Sequence, residues 1–533
     1  MSPSPSALTP TLLTPDYESW TKEQLIARLT QLESHPSTSH RRSPSPHRAA
    51  KPPKPFHFAK HPQRKIALKF TYAGWEYNGL AWQNGPTPLP TVEGALFDML
   101  AKTKLVDEEG GLEGCGWERC GRTDKGVSAA GQVVSLWVRS AVVDERQGVE
   151  GGLQTESEED GVGKVSVEEK VSGTEREETA EVPDNEGFES LGLSSRASSS
   201  APTPTHALKR KTELRYIWML NRLLPPSIRV LAWSPVAPTF SARFNCRFRH
   251  YKYFFSAATL DVDAMCKGAE RLVGEHDFRN MCKLDPTKQI TNFKRRVLRA
   301  DISPVSGSAD AGIYVFDLVG SAFLYHQVRH IMAVLFLVGT GLERPSLVTA
   351  LLNTDKANPY PPFAEGDEVP SLVECKPEYQ MADGLPLMLW DCGYAEEDLD
   401  WRTDLDTKEE REKDATETTL NLYHQLDSIH TRSLISTTLD EHFLSSAGRF
   451  HAPPPNPFPL ASLSQLAGSG AGILNVPLGG GTFRRLTKYV PVLERNRLDS
   501  IEVANERWRL GKGGRREERK RAAYADAGDD GDE

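Results

Sequence analysis

Apolar and polar side chains alternate along several short segments of this chain, and an alternation with a period of two predicts β-strands. Between these segments, apolar side chains recur every three or four positions, a spacing that predicts helices with one buried face. The predicted strands are 65–72, 133–138, 228–233, 251–255, 297–302, 312–319 and 387–392. The predicted helices are 91–100, 214–224, 262–272 and 325–337. Strands and helices mixed in this order predict an α+β fold.

A similar mixture of strands and helices occurs in two successive parts of the chain, 64–236 and 237–394. We therefore predict two related α+β domains with a cleft between them, and clefts of this kind are where substrates usually bind. No apolar run approaches the roughly 20 residues that are needed to span a bilayer. The longest apolar run, within 325–337, is predicted to be a helix buried in protein.

The segments outside these domains differ from them in composition. Residues 1–63 are mostly low-complexity, and one capping box, from Thr21 to Gln24, predicts a helix over about 21–33. The basic run after that helix is interpreted as a disordered arm that contacts RNA, directs nuclear import or only aids solubility. Residues 395–533 are predicted to be an extension that is partly disordered and carries a helix at 418–430.

The net charge of −9 hides a strong segregation of charge along the chain. Residues 144–189 hold 16 acidic and 4 basic side chains, and the segment is rich in Gly, Ser and Thr. This composition predicts a disordered insertion at about 140–207. The rest of the chain has a net charge of about +3, so the composition does not exclude a nucleic-acid partner.

The seven cysteines, an odd number spread widely over the chain, predict a reducing compartment rather than a disulfide framework. Cys115 and Cys120 are accompanied by no second Cys or His pair at zinc spacing, so we predict no metal. The N-terminal segment is rich in Pro and Ser and lacks an apolar stretch, so no secretory signal is predicted.

The densest chemistry lies in the segment 120–129, directly before a predicted strand. Gly121 and Gly126 bracket Arg122, Asp124 and a lysine, and glycine permits backbone angles that other residues resist. A loop of this kind can hold a carboxylate in a fixed position. The alternative is an ordinary surface turn, because Asp, Lys and Gly are common turn residues.

Two further segments carry candidate chemistry. In 240–253, cations alternate with aromatic residues, and this pattern favours RNA because rings stack on bases while cations meet phosphates. A strand with one solvated face is the alternative interpretation. In 321–330, Arg329 lies at the start of an otherwise apolar helix, and a buried cation needs a counter-charge. An aspartate on a neighbouring loop would provide that charge.

The segment 121–129 resembles the active-site motif of the TruA-type tRNA pseudouridine synthases. Further matches to this family follow in order along the chain: 72–74, 82–83, Gln132, Asn221, 224–225, 240–244, 251–253, 274–278, 323–329 and 383–385. They span the predicted core, about 65–394 without the insertion. Lys125 and Ser128 fit the eukaryotic branch of the family. The segment 279–283 most resembles the branch that modifies positions 38 and 39 of the tRNA anticodon stem-loop.

The resemblance implies two ferredoxin-like-related α+β domains that share a joined antiparallel sheet with a central catalytic cleft. It implies that Asp124 is the catalytic residue, which attacks the target uridine covalently or assists cleavage of its glycosidic bond. Tyr251 would pack on the target base and help remove the proton from C5. Arg329 would pair with the aspartate, and Arg122 would help hold the nucleotide out of the stack. The reaction is an isomerisation that requires no cofactor, nucleotide or metal.

The resemblance also implies tRNA as the partner, no membrane and, as is common among family members, a homodimer. Two alternatives stay open: a synthase of the same family that acts at positions 27 and 28, and a protein that binds or folds tRNA without catalysis. The basic arm permits nuclear entry, so we expect the protein in both the nucleus and the cytoplasm.

Overall fold

A nine-stranded β-sheet runs through the computed structural model of the chain, which describes residues 56–142, 213–306, 312–404, 422–452 and 474–515. The strands of this sheet are β1 (Gln63–Tyr72), β2 (Glu118–Arg119), β3 (Ser128–Arg139), β4 (Ile228–Pro235), β5 (Phe248–Ser256), β6 (Gly274–Asp277), β7 (Lys294–Pro304), β8 (Ile313–Gly320) and β9 (Leu387–Gly393). A separate hairpin consists of β10 (Leu474–Gly479) and β11 (Thr482–Leu486). The helices are α1 (Val92–Lys102), α2 (Gly111–Gly114), α3 (Tyr216–Asn221), α4 (Val262–Glu270), α5 (Gln327–Gly339), α6 (Ser346–Leu352), α7 (Leu422–Gly448) and α8 (Ile501–Trp508).

The order of strands across the sheet is β4-β1-β3-β9-β5-β8-β7-β6, and β2 pairs with β3. Neighbouring strands are antiparallel, except that β3 and β9 run parallel over a short register, with Ser128 opposite Met388 and Ala129 opposite Leu389. The predicted joined antiparallel sheet is therefore confirmed, with this one short parallel pairing as an addition to it. Strand β9 follows a long connection after α6, and a long connection allows a strand to enter the sheet in either direction.

Local chemistry explains where the central elements begin and what they bury. Strand β1 buries Leu68, Phe70 and Tyr72 at alternate positions, as its sequence pattern predicts. Helix α1 begins after Thr91, whose hydroxyl accepts a hydrogen bond from the first turn. In α5, every residue except Arg329 is buried. The helix is therefore a core element that presents one cation, as its sequence predicts.

Some predicted elements differ from the observed ones for identifiable reasons. The predicted helix at 214–224 was too long, because α3 ends before Leu224, and the residue before a proline disfavours helical backbone. The first turn of α3 is held by Asp404, whose carboxylate accepts hydrogen bonds from backbone N–H groups of that turn. Strand β6 and helix α6 were not predicted. Segments of four and seven residues are too short to show a clear period of apolar side chains.

The extension after residue 394 contributes to the core. The helix predicted at 418–430 corresponds to α7, which continues to Gly448. Hairpin strand β10 is anchored through the backbone carbonyl of Leu478, which accepts hydrogen bonds from the Tyr253 hydroxyl at 3.2 Å and from the Asp383 amide at 2.7 Å. Val492 is fully buried. The C-terminal segment therefore packs against the same loop that lies beside Arg329.

The predicted helix at 21–33 and most of the predicted insertion at 140–207 lie outside the described residues. The domain boundary between residues 236 and 237 stays a prediction, as do the ends of the arm and of the extension. Among the described helices, none has both the length and the apolar content that a bilayer span requires.

Candidate active site

A cleft of about 1260 Å³ opens next to the segment that leads into β3. Its walls come from the first predicted domain, through the segment around Asp124, and from the second, through the segments around Tyr251 and Arg329. Eight cationic side chains line it against three carboxylates, so its net charge is positive. The cations are Arg119, Arg122, Lys125, Arg243, Arg249, Lys288, Arg295 and Arg329. A positive cleft suits the phosphates of a nucleic acid.

The loop that carries Asp124 is fixed by hydrogen bonds on both sides of the aspartate. The backbone amide of Val127 donates to the carbonyl of Asp124 at 3.1 Å, and the amide of Leu80 donates to the carbonyl of Thr123 at 3.2 Å. The Thr123 hydroxyl is 2.6 Å from the Tyr72 hydroxyl, inside the core. The backbone on both sides of Asp124 is therefore held in place by hydrogen bonds.

Close packing around this loop requires glycine at specific positions. Gly126 has a φ of +84°, an angle that glycine permits and other residues resist. The φ of Gly121 is not positive. Gly74 is the more demanding position, because a Cβ there would lie 2.1 Å from the carbonyl oxygen of Val127. The β1–α1 connection thus packs directly against the loop that carries Asp124.

Among the basic side chains that the structure describes, His326 lies nearest to the Asp124 carboxylate, with Nε2 3.2 Å from Oδ2. Arg329 lies beside it, with Nη1 4.0 Å from the same oxygen. The predicted pairing of Arg329 with Asp124 is thus supported by the geometry at the limit of an ion-pair contact. The shorter contact with His326 was not predicted.

His326 could have been found from its spacing to Arg329. The two residues are three positions apart at the start of α5, and this spacing places side chains on one face of a helix. His326 immediately precedes the helix with a φ of +58°, and its ring stacks on Tyr325 at 3.9 Å between centroids. The side chain is only 6% exposed, and its Nδ1 has no hydrogen-bond partner within the described part of the chain. The imidazole is thus directed at the carboxylate by packing.

Arg329 is positioned by a contact outside its own helix. Its Nε donates a hydrogen bond of 2.8 Å to the carbonyl of Ala382. A Cβ at Gly384 would lie 3.6 Å from the guanidinium carbon, so glycine at this position leaves the guanidinium close to the backbone. The loop before β9 therefore fixes the direction in which Arg329 reaches the cleft.

Tyr251 lies in the cleft as predicted, where Arg249 and Arg329 are also lining residues. Its ring packs edge-on against Phe323, with 5.0 Å between the ring centroids. Burial raises the pKa of the Tyr251 hydroxyl well above its ordinary value, and the nearby acidic groups add to this effect. The phenol is therefore neutral at physiological pH, which favours a packing role over that of an ionised base.

Arg122 is exposed on the cleft wall and forms neither a hydrogen bond nor an ion pair with other residues in the described ranges. The guanidinium is therefore available to a ligand. In this respect it differs from Arg249, which donates hydrogen bonds to the carbonyl of Ser321 at 3.0 Å and of Cys120 at 2.9 Å. Arg249 thus ties the start of the catalytic loop to the segment before α5.

The basic and aromatic segment 240–253 divides between the two faces of the sheet. Arg249 and Tyr251 line the cleft. His250 and Lys252 lie near Asp317 instead, at 2.5 Å and 3.7 Å from its Oδ1. Burial opposes ionisation of Asp317, but the hydrogen bond from His250 and the charge of Lys252 hold its pKa below the ordinary value. Only part of the predicted RNA-binding pattern therefore faces the cleft.

Comparison with known proteins identifies the family that this fold and cleft belong to. A family profile described as tRNA pseudouridine synthase matches residues 269–395. The chain is 40% identical over 402 residues to the tRNA pseudouridine(38/39) synthase of Saccharomyces cerevisiae. The matched region covers 72% of this chain and 73% of the yeast protein. The chain belongs to the tRNA pseudouridine synthase family. Membership confirms the predicted resemblance, the α+β class and the assignment as an isomerase.

Other tRNA pseudouridine synthases give the same result. The protein named tRNA pseudouridine(38/39) synthase in Bos taurus is 37% identical over 394 residues, with 73% of this chain and 67% of the relative covered. The human protein of that name is 37% identical over 368 residues, with 68% and 61% covered. The individual roles of Asp124, Tyr251, Arg329 and Arg122 stay predictions, to which the structure adds His326.

Proposed function

We propose that this protein isomerises uridine to pseudouridine at positions 38 and 39 of the tRNA anticodon stem-loop. The observation that carries the proposal is the Asp124 carboxylate, which lies in a basic cleft within 4.0 Å of His326 Nε2 and Arg329 Nη1 from the other half of the molecule. The choice of positions is supported by the names of the relatives above. Their matched regions cover about 70% of this chain.

The proposed reaction rearranges one bond and needs no redox step. The N1–C1′ glycosidic bond of the target uridine breaks, the uracil turns in the cleft, and a C5–C1′ bond forms. C5 then loses its proton and N1 gains one, so the product is an isomer of the substrate. Asp124 either attacks the nucleotide covalently or assists cleavage of the glycosidic bond. Arg329 places its positive charge, and His326 a ring nitrogen, beside Oδ2 of this carboxylate.

The other two side chains act on the position of the nucleotide. Extruding a base from a stem costs on the order of a few kcal/mol, and an enzyme offsets part of this cost by filling the vacated space. The exposed Arg122 guanidinium is suited to that task. The buried ring of Tyr251 provides the surface on which the extruded uracil packs.

The direct test is site-resolved mapping of pseudouridine in unmodified tRNA transcripts treated with the purified protein. We expect modification at positions 38 and 39 only. Modification at 27 and 28, with 38 and 39 unchanged, would instead support the other branch of the family. Binding of tRNA with no modification at any uridine would support the non-catalytic alternative.

We further propose that the protein acts in both the nucleus and the cytoplasm and forms a homodimer. The basic run within residues 1–63 supports nuclear entry. Fluorescence microscopy of the tagged chain with and without residues 1–63, and light scattering of the purified chain, test these two points. Exclusion from the nucleus in the presence of the arm, or a monomeric mass, would contradict them.

A further inference from the structure

Three cysteines from separate parts of the chain meet beneath the catalytic loop. Their three Sγ atoms all lie within 4.8 Å of one another. Cys120 directly precedes the loop, Cys246 lies two residues before β5, and Cys392 lies in β9. Cys120 and Cys392 are buried and Cys246 is half-buried. From the sequence, Cys120 was considered as a metal ligand only together with Cys115, and this group was not predicted.

We propose that Cys120, Cys246 and Cys392 bind zinc. A Zn–S distance of about 2.3 Å puts the sulfurs of a tetrahedral site about 3.8 Å apart, so sulfurs within 4.8 Å need shifts of about 1 Å at most. A disulfide would use two of the three sulfurs and leave the third without a role. Three thiols in mutual contact match the donor set of a thiophilic metal better.

A cation beside the cluster would balance the charge of a zinc–thiolate site. Three thiolates and one Zn²⁺ carry a net charge of −1, which needs a positive partner in a buried setting. Arg249 supplies that partner, because its guanidinium donates to the backbone carbonyl of Cys120 at 2.9 Å. The guanidinium is also anchored to the carbonyl of Ser321, so its charge is held in place.

The three cysteines would supply all the protein ligands of the site. The metal-ligand group of described residues contains these three thiols and no further His, Cys, Asp or Glu. Zinc prefers four ligands in a tetrahedral arrangement, so the fourth ligand would be a solvent molecule.

Such a site would tie the two halves of the sheet together at the catalytic loop. Cys120 belongs to the first half, whereas Cys246 and Cys392 belong to the second. Zinc would therefore fix the start of the loop relative to β5 and β9. This structural role of zinc does not depend on which tRNA positions the protein modifies.

The test uses the full chain, purified without chelator, and measures its metal content by mass spectrometry. In parallel, chelator-treated protein is titrated with Co²⁺, and sulfur-to-cobalt charge-transfer absorption is followed in the near ultraviolet. The variants are Cys246→Ser and Cys392→Ser, and Cys266→Ser is the matched control, since its half-buried thiol lies on α4 outside the cluster. Far-ultraviolet circular dichroism confirms the fold of each variant.

We expect about one zinc per chain and a charge-transfer band in the wild type and in Cys266→Ser. The band and the zinc should be lost in Cys246→Ser and Cys392→Ser. If Cys392→Ser does not fold, Cys246→Ser decides the outcome, because its side chain is only half-buried. The proposal is wrong if the wild type binds neither metal stoichiometrically, if Cys246→Ser binds both as the wild type does, or if the purified protein contains a disulfide within this cluster.

Discussion

The two walls of the cleft hold their functional groups in different ways. On the first wall, the loop around Asp124 is fixed by its own backbone, through the amides of Leu80 and Val127 and the close approach of Gly74. On the second wall, His326 and Arg329 are held by packing and by a single hydrogen bond to a distant carbonyl. The backbone thus sets where the carboxylate is, and side chains from far along the chain set its ionic surroundings.

The largest expected effect comes from removing the group on which both walls converge. Asp124→Ala should lower pseudouridine formation by on the order of 10⁴-fold or more, because the reacting carboxylate is lost. Affinity for tRNA should stay within about a factor of three, since the cations that line the cleft remain. Single-turnover assays and filter binding on the same preparation measure the two quantities. Turnover at the wild-type rate would remove Asp124 from the mechanism.

The second wall is tested first at Arg329. Arg329→Ala should reduce the rate about 10³-fold, the usual effect of removing a donor aimed at a reacting charge. Arg329→Lys keeps the charge but loses the Nε donor that contacts the carbonyl of Ala382, so its rate should be intermediate. Rapid-quench kinetics with saturating tRNA give both values. Equal rates for the lysine and alanine variants would show that the charge near Asp124 does not matter.

The first wall is tested by Gly74→Ala, which adds a methyl group behind the loop that carries Asp124. Gly74→Ala would put a Cβ 2.1 Å from the Val127 carbonyl oxygen, so the loop has to shift. A displacement of about 1 Å at a reacting group costs about 10²-fold in rate. Gly85→Ala is the control, because a Cβ there meets nothing within 4 Å. A rate for Gly74→Ala equal to that of the control would mean that the loop is not rigidly held.

A smaller effect is expected at His326, the closer neighbour of the carboxylate. Asn tolerates the left-handed backbone of this position, so His326→Asn keeps the φ of +58° while removing the imidazole. We expect kcat to fall about tenfold, as for other residues that orient a functional group, with KM unchanged. Steady-state kinetics on a tRNA transcript separate the two constants. A change confined to KM would indicate that His326 binds tRNA instead of orienting Asp124.

The smallest expected effect concerns a buried cation under the second wall. Lys376 donates a hydrogen bond to the carbonyl of Cys282 and lies 3.2 Å from His330 Nε2, and burial lowers its pKa to about 8. Between pH 8 and 10.5 the folded state has released this proton and the unfolded state has not. The free energy of unfolding should therefore rise with pH, by up to about 1.4 kcal/mol per unit.

Lys376→Met lacks this titration, whereas the tyrosines that titrate in the same range are common to both proteins. Urea unfolding of the wild type and of Lys376→Met at pH 7.5, 8.5 and 9.5 isolates the contribution of the lysine. We expect the wild type to gain stability relative to the variant at each step above pH 8. A constant difference would show that Lys376 is not deprotonated in the folded state.

The first wall could be predicted from sequence more completely than the second. The motif 121–129 is a short continuous segment. Its glycines predict a loop, and its aspartate predicts a functional carboxylate in that loop. The pairing of Arg329 was also predicted, because a cation at the start of an apolar helix needs a partner. The contact of His326 was not predicted, although its spacing of three positions from Arg329 was a usable signal. The cysteine cluster depends on three strand ends, which no local spacing reveals.

The topology of the sheet could also be predicted only in part from the sequence. Alternation of apolar and polar side chains in the sequence located β1, β4, β5, β7, β8 and β9. Burial keeps the period of two in β5 but not in β4 or β7. The parallel pairing of β3 with β9 depends on which strand edge stays free after all the others have paired. It brings Leu389 opposite Ala129, a few residues beyond Asp124. The junction that closes the site is thus set by the whole sheet.

The central claim is that His326 and Arg329 act on the rate through Asp124, and a double-mutant cycle tests it most directly. Single-turnover rates are measured for the wild type, His326→Asn, Arg329→Ala and the double variant. If both residues act on one carboxylate, the effects are coupled, and the double variant should lose clearly less than the product of the two single losses. A loss equal to that product would mean that the two residues act independently, which contradicts this account of the site.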